Sequence, residues 1–123
     1  MHKFITDTAK NRFFMYFKGH YTADAFQFAV DEALEEAKKL KPGYTVINDS
    51  SELNIHDIDG VKYLGRMMEF AKKHEAKCII RLVKNKLPQT QLQDQAKKTD
   101  LKVKIVELSS VDEIEQYLEL NNL

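Results

Sequence analysis

Residues 12–18, reading Arg-Phe-Phe-Met-Tyr-Phe-Lys, place Phe13, Met15 and Phe17 on one alternating face and Phe14, Tyr16 and Lys18 on the other. One face is apolar and the other aromatic and mixed, so a strand here needs cover on both sides. Upstream, residues 3–8 are also extended in pattern, and Ala9-Lys10-Asn11 between the two runs has the length of a hairpin connection. Downstream, three short apolar runs are each separated by a stretch of helical periodicity. Residues 44–48, with the β-branched pair Val46-Ile47, follow the turn Pro42-Gly43 and read as a buried strand ending at Asp49. Residues 77–83, around Cys78-Ile79-Ile80, and residues 101–108, with Val103 and Ile105, supply two more.

The helices between them are set by stripe and cap. Gly19-His20-Tyr21 breaks the second strand, and Thr22 is suited to cap a helix reaching Leu40. Phe26, Val30, Ala33 and Ala37 share one stripe there, flanked by Ala29, Leu34 and Leu40, while Phe28 lies off it. A second helix is expected over residues 57–74, with Ile58, Val61, Leu64, Met68 and Ala71 on its core face. Tyr63, Met67, Phe70 and His74 widen its uncharged arc beyond what a surface helix needs. A short helix is expected at 90–98. A last one follows the capping box in Ser109-Ser110-Val111-Asp112-Glu113 and carries Ile114, Tyr117 and Leu118, with Leu120 as a further candidate. The order β-β-α-β-α-β-α-β-α implies right-handed crossovers and an α/β fold: a mixed sheet of about five strands packed by helices, with the initial hairpin adding an antiparallel strand.

With 123 residues the chain has the length of a single domain, 1–123. Nineteen Lys and Arg balance nineteen Asp and Glu, so no net field favours nucleic acid or an anionic membrane surface. Cys78, the one cysteine, sits in an apolar run as a small core residue and can form no internal disulfide. No segment approaches the ~20 apolar residues of a membrane span, and a soluble cytoplasmic protein is expected.

The acids Asp49, Glu52, Asp57 and Asp59 crowd one stretch together with His56, which raises a metal site as the first chemical reading. Their spacing matches no ligand signature, and carboxylates with Asn54 or Asp57 as cap are what a helix N-terminus ordinarily attracts, so no metal and no cofactor is expected. The serines lack a Gly-x-Ser-x-Gly elbow, and the four glycines are isolated rather than gathered into a phosphate loop. His20 and His74 have no catalytic partner identifiable from spacing. An enzyme is not expected.

The element order together with Asp57-Ile58-Asp59-Gly60 resembles the STAS family, the domain of anti-sigma factor antagonists (SpoIIAA-like) and sulfate transporter tails. In that family a central strand ends in Asp, and an Asp-Ser-Ser/Thr-Gly motif opens the next helix. Asp57 and Gly60 match the motif, Ile58 replaces its first hydroxyl residue and Asp59 its phosphorylatable one. Gly19 matches the glycine before the first helix, with His20 where an acid is usual. The turn leading into Thr45-Val46-Ile47-Asn48-Asp49-Ser50-Ser51 is similar to that of uncharacterised STAS-like bacterial proteins without a phosphoserine.

What the resemblance implies is a non-enzymatic regulatory or protein-interaction module. Its partner, an anti-sigma-factor-like or other regulatory protein, would meet Asp49, Ser50, Ser51, Asp57, Asp59, Gly60, Tyr63, Met67 and Phe70. Homodimer formation stands beside that reading. A serine can switch to a phosphate of about −1.5 to −2 charges, whereas an aspartate holds about −1 permanently, so no serine switch is available at position 59. The alternative is a small-ligand or lipid-binding domain, since STAS-like folds resemble lipid carriers and Phe13, Phe14, Phe26 and Phe28 are available to line an apolar pocket.

Overall fold

The computed structural model describes residues 1–55, 66, 69–82 and 104–123. The helix expected at 90–98, and all of the expected helix at 57–74 apart from residues 66 and 69–74, lie outside the described residues. Five strands form one sheet in the order β1-β2-β3-β4-β5: β1 His2–Asp7, β2 Arg12–Tyr21, β3 Thr45–Ile55, β4 Cys78–Leu82 and β5 Lys104–Leu108. β1 pairs antiparallel with β2, and every later neighbour is parallel. This is the mixed α/β sheet the element order implied.

The hairpin closes at Asp7↔Arg12. The Asp7 carboxylate accepts from the Lys10 N–H at 3.1 Å, and Asn11 adopts φ 55°, a left-handed conformation that asparagine tolerates better than most residues. The Asn11 side chain also donates to the Lys41 carbonyl and accepts from the Lys41 N–H. This ties the hairpin turn to the approach of β3.

Alternation along the strands sorts the core into two layers. On one side Phe13, Met15, Phe17, Val46 and Ile79 pack against the first helix, Ala23–Ala37, through Phe26, Ala29, Val30, Ala33 and Ala37, and against Ala71 and Ala76. On the other, Ile47, Cys78, Ile80 and Leu82 pack against Ile114 and Leu118 of the C-terminal helix, Val111–Leu120, with Phe14 alongside. β2 is thus covered on both faces, as its composition demanded. Thr22 caps the first helix, its hydroxyl accepting from the Ala25 N–H, and Phe28 projects away from the core, 74% exposed. Cys78 is buried among apolar neighbours, which raises its thiol above the ordinary value.

The first helix ends at Ala37, capped by Lys38, rather than reaching Leu40, and two strand boundaries also differ from the sequence reading. β2 does not break at Gly19-His20-Tyr21 but runs through Tyr21, and β3 does not end at Asp49 but continues to Ile55. The two extensions are each other's cause, since they pair from Lys18↔Glu52 to Tyr21↔Ile55. Gly19 takes φ +96° inside this extension, with open space where a side chain would begin. Its backbone rather than its surroundings calls for glycine.

Helical residues 69–73 end where Glu75 turns left-handed at φ 57° and the Ala76 N–H donates to the Ala71 carbonyl at 2.9 Å. The C-terminal helix ends the same way, with Asn122 at φ 54° and the Leu123 N–H donating to Leu118. At its start the Ser110 hydroxyl accepts from the Glu113 N–H at 3.2 Å, and the Ser109 N–H donates to the Glu113 carboxylate at 3.0 Å. These Ser109 donors, the N–H first and then the hydroxyl, hold the Glu113 carboxyl below its ordinary value of 4.5. A depressed folded value stabilises above the unfolded pKa and is lost as pH falls through the folded one. Glu113→Gln is therefore expected to lower the urea midpoint at neutral pH and to leave it unchanged in acid. Equal losses at both pH values would contradict the assignment.

Candidate functional site

Among the described residues β4 pairs with β3 from Thr45↔Cys78 to Asp49↔Leu82, and β2 pairs with it from Arg12↔Thr45 to Tyr21↔Ile55. Residues 50–55 and their β2 partners form a parallel ribbon at the carboxyl end of the sheet, where ligands and partners of α/β proteins commonly gather. The ribbon begins with an irregularity. Tyr16 pairs with Asp49 and Lys18 with Glu52, so Ser50 and Ser51 stand opposite Phe17 alone. An extra residue in one strand leaves ladder groups unpaired.

Side chains make good the loss. The Asp49 carboxylate accepts from the Ser51 N–H at 3.2 Å and from the Ser51 hydroxyl at 2.7 Å, and the Ser50 hydroxyl donates to the Asn48 side-chain oxygen at 2.7 Å. Across the ribbon the Tyr16 hydroxyl donates to Glu52 at 2.9 Å, and the Lys18 ammonium lies 4.0 Å from the same carboxylate. The bond to Glu52 raises the Tyr16 phenol above its ordinary value, with burial and the nearby carboxylates adding to it. Asp49, Ser50 and Ser51 are thus brought together, on a bulged strand rather than on the loop expected from Asp49 onward.

The other expected contact residues divide. Asp57, Asp59, Gly60, Tyr63 and Met67 lie outside the described residues. Phe70 is half-buried against the core layer that holds the first helix, and its ring stacks on His74 at 4.3 Å. Asp49 lies on the opposite face, in a groove with Phe14, Tyr16, Ile47 and Leu82. Among the described residues no group of three or more His, Cys, Asp or Glu side chains is placed to hold a metal ion. No helix among them is long and apolar enough to cross a membrane.

One arrangement escaped the sequence reading. Asn48, Arg81 and Glu107 are neighbours in register on β3, β4 and β5, on the face toward the first helix. Arg81 is 4% exposed and Asn48 7%. Arg81 Nη1 lies 3.7 Å from Glu107 Oε1, and burial pushes the guanidinium below its ordinary value, opposed by the Glu107 carboxylate. An arginine and a glutamate, each fourth in a five-residue apolar strand, were the available signal.

The adjacent cavity measures about 50 Å³ and is lined by Phe13, Met15, Val46, Phe70, Asn48 and Arg81, among others. Common ligand pockets hold roughly 300–1,000 Å³. The four phenylalanines considered for an apolar pocket do not converge on it. Phe13 lines it, Phe14 faces the other layer, Phe26 is inside the core, and Phe28 is exposed.

The fold and the position of the ribbon define an α/β domain of the kind that presents the carboxyl ends of its parallel strands. Among solved structures the chain is similar to the anti-sigma factor antagonist SpoIIAA in its unphosphorylated form, with a TM-score of 0.60 and 13% identity over 100% of both chains. The likeness is one of fold. No protein-family model and no curated protein matches the sequence.

Proposed function

We propose that residues 1–123 form one non-enzymatic domain of SpoIIAA-like fold that acts by binding a regulatory protein. Contact is made through Asp49, Ser50 and Ser51 at the start of the β2–β3 ribbon and through Asp57, Asp59, Gly60, Tyr63, Met67 and Phe70 beyond it. The observation that carries this reading is the ribbon. It carries β3 to Ile55 in register with Tyr21, so that Asp57 and Asp59 follow in sequence directly after the carboxyl end of a parallel strand.

The similarity in fold to an anti-sigma factor antagonist supports a protein partner. With aspartate at position 59 no hydroxyl is present there to phosphorylate, so binding is constitutive or controlled elsewhere. Asp59→Lys and Met67→Glu, made separately, are each expected to abolish partner capture in a pull-down while leaving the circular dichroism and urea midpoint of the parent. Undiminished capture by both variants would overturn the proposal.

A further inference from the structure

β1 is an edge strand whose side-chain pattern is complementary to itself. Among the described residues β2 is its one neighbour in the sheet. The Met1 amino group donates to the Lys18 carbonyl at 2.9 Å and the Lys18 N–H donates to the Met1 carbonyl at 2.8 Å, so residue 1 turns its backbone groups toward β2. Alternation along the strand turns those of Lys3, Ile5 and Asp7 the same way and directs the N–H and C=O groups of His2, Phe4 and Thr6 outward. A row of outward groups of this kind is a template for a further strand. The side chains of His2 and Thr6 hydrogen-bond to Glu32 and Glu36 of the first helix, which places Lys3, Ile5 and Asp7 on the opposite face. Lys3 is exposed there, and Ile5 is 46% exposed.

A lysine on an edge strand ordinarily discourages pairing. Here Lys3 stands two residues before Ile5 and Asp7 two residues after it, so a second copy running antiparallel about an axis at Ile5 meets each charge with its opposite. Lys3 then faces the second copy's Asp7 at both ends, Ile5 faces its own counterpart, and the outward groups of Phe4 exchange hydrogen bonds with those of the second copy's Thr6. The neighbouring registers that also match the outward groups lose this fit. An axis at Phe4 sets Lys3 against Ile5, one at Lys3 sets lysine against lysine, and one at Thr6 sets Ile5 against Asp7. The first helix lies over β1 and β2, so joined edges bring the two copies' helices two strand spacings apart, about 10 Å, which is within the ordinary distance of packed helices. We infer that β1 is a self-association edge, through which two copies of this chain join antiparallel about Ile5 into one continuous sheet. None of its residues is among those proposed to contact a regulatory protein, so the two readings stand or fall separately.

Sedimentation equilibrium of the whole chain is expected to show monomer and dimer in exchange with a Kd below ~1 mM. Lys3→Asp, which sets like charges opposite each other at both ends, is expected to weaken the dimer at least ~10-fold, and Asp7→Lys to do the same. An equimolar mixture of the two variants, in which every charge again meets its opposite, is expected to recover the parental affinity. Ile5→Cys reads the register, because facing residues of a non-hydrogen-bonded antiparallel pair have Cα atoms about 4.5 Å apart, within disulfide reach. Oxidised glutathione is therefore expected to link two copies of Ile5→Cys and to leave Lys3→Cys unlinked. Lys3→Asp and Ile5→Cys keep the turn bond that Asp7 accepts from the Lys10 N–H, so the outcome does not depend on how well Asp7→Lys folds. A chain that stays monomeric up to ~1 mM, or a dimer indifferent to Lys3→Asp, would overturn the edge. Linkage of Lys3→Cys as readily as Ile5→Cys would overturn pairing about Ile5.

Discussion

Phe17→Ala is expected to reduce the unfolding free energy by about 3–5 kcal/mol, as truncation of a fully buried aromatic does. Phe17 is 1% exposed and its ring lies against those of Phe4 at 5.5 Å and Tyr21 at 6.0 Å, both edge-on, of Phe26 at 5.5 Å and of His2 at 6.4 Å. It is therefore the contact through which the hairpin, the β2 extension and the first helix meet. It also stands opposite Ser50 and Ser51, so its loss removes packing beneath the bulge itself. Against a typical total of about 5–15 kcal/mol, the variant should show a markedly lower urea midpoint. A loss below about 1 kcal/mol would mean that Phe17 is not in the core.

Glu107→Leu is expected to cost a similar amount, about 3–5 kcal/mol, for a different reason. It removes no large volume but strands the Arg81 guanidinium, 4% exposed, without its counter-charge. Arg81→Met combined with Glu107→Leu should recover most of that loss, because the apolar pair no longer carries a desolvation cost. A double-mutant cycle by urea unfolding checks this. If the single and double variants were equally destabilised, the contribution would lie in side-chain packing rather than in charge.

What the sequence disclosed follows the range of the interactions involved. Thr22 as a cap, the stripe Phe26, Val30, Ala33 and Ala37, and the Ser110–Glu113 cap are fixed within one or two helical turns, and each is found where the pattern placed it. The double-faced run 12–18 likewise disclosed a sheet covered on both sides. The extension of β3 was not legible, because Asn-Asp-Ser-Ser-Glu-Leu-Asn has no apolar alternation and reads locally as loop. It is strand because β2 offers it a partner, and Gly19 and the bulge at Ser50 and Ser51 adjust the register between them.

At the candidate site Asp49, Ser50 and Ser51 were identifiable as residues but not as a bulge held by their own side chains. Phe70 was placed on a surface arc by helical spacing, whereas half of it serves the core beside Ala71. The Asn48–Arg81–Glu107 row was invisible for the opposite reason. Its members are 33 and 26 positions apart, and only the parallel registers of three strands align them.

The most direct test of the protein-binding edge is site-specific photo-crosslinking in cells. A photoreactive amino acid is placed at position 67 and, as a control, at position 38 on the exposed end of the first helix. The result expected is a discrete protein adduct from position 67 that disappears when Asp59→Lys is added, with none from position 38. An adduct of equal yield from both positions, or one from position 67 indifferent to Asp59→Lys, would contradict the account.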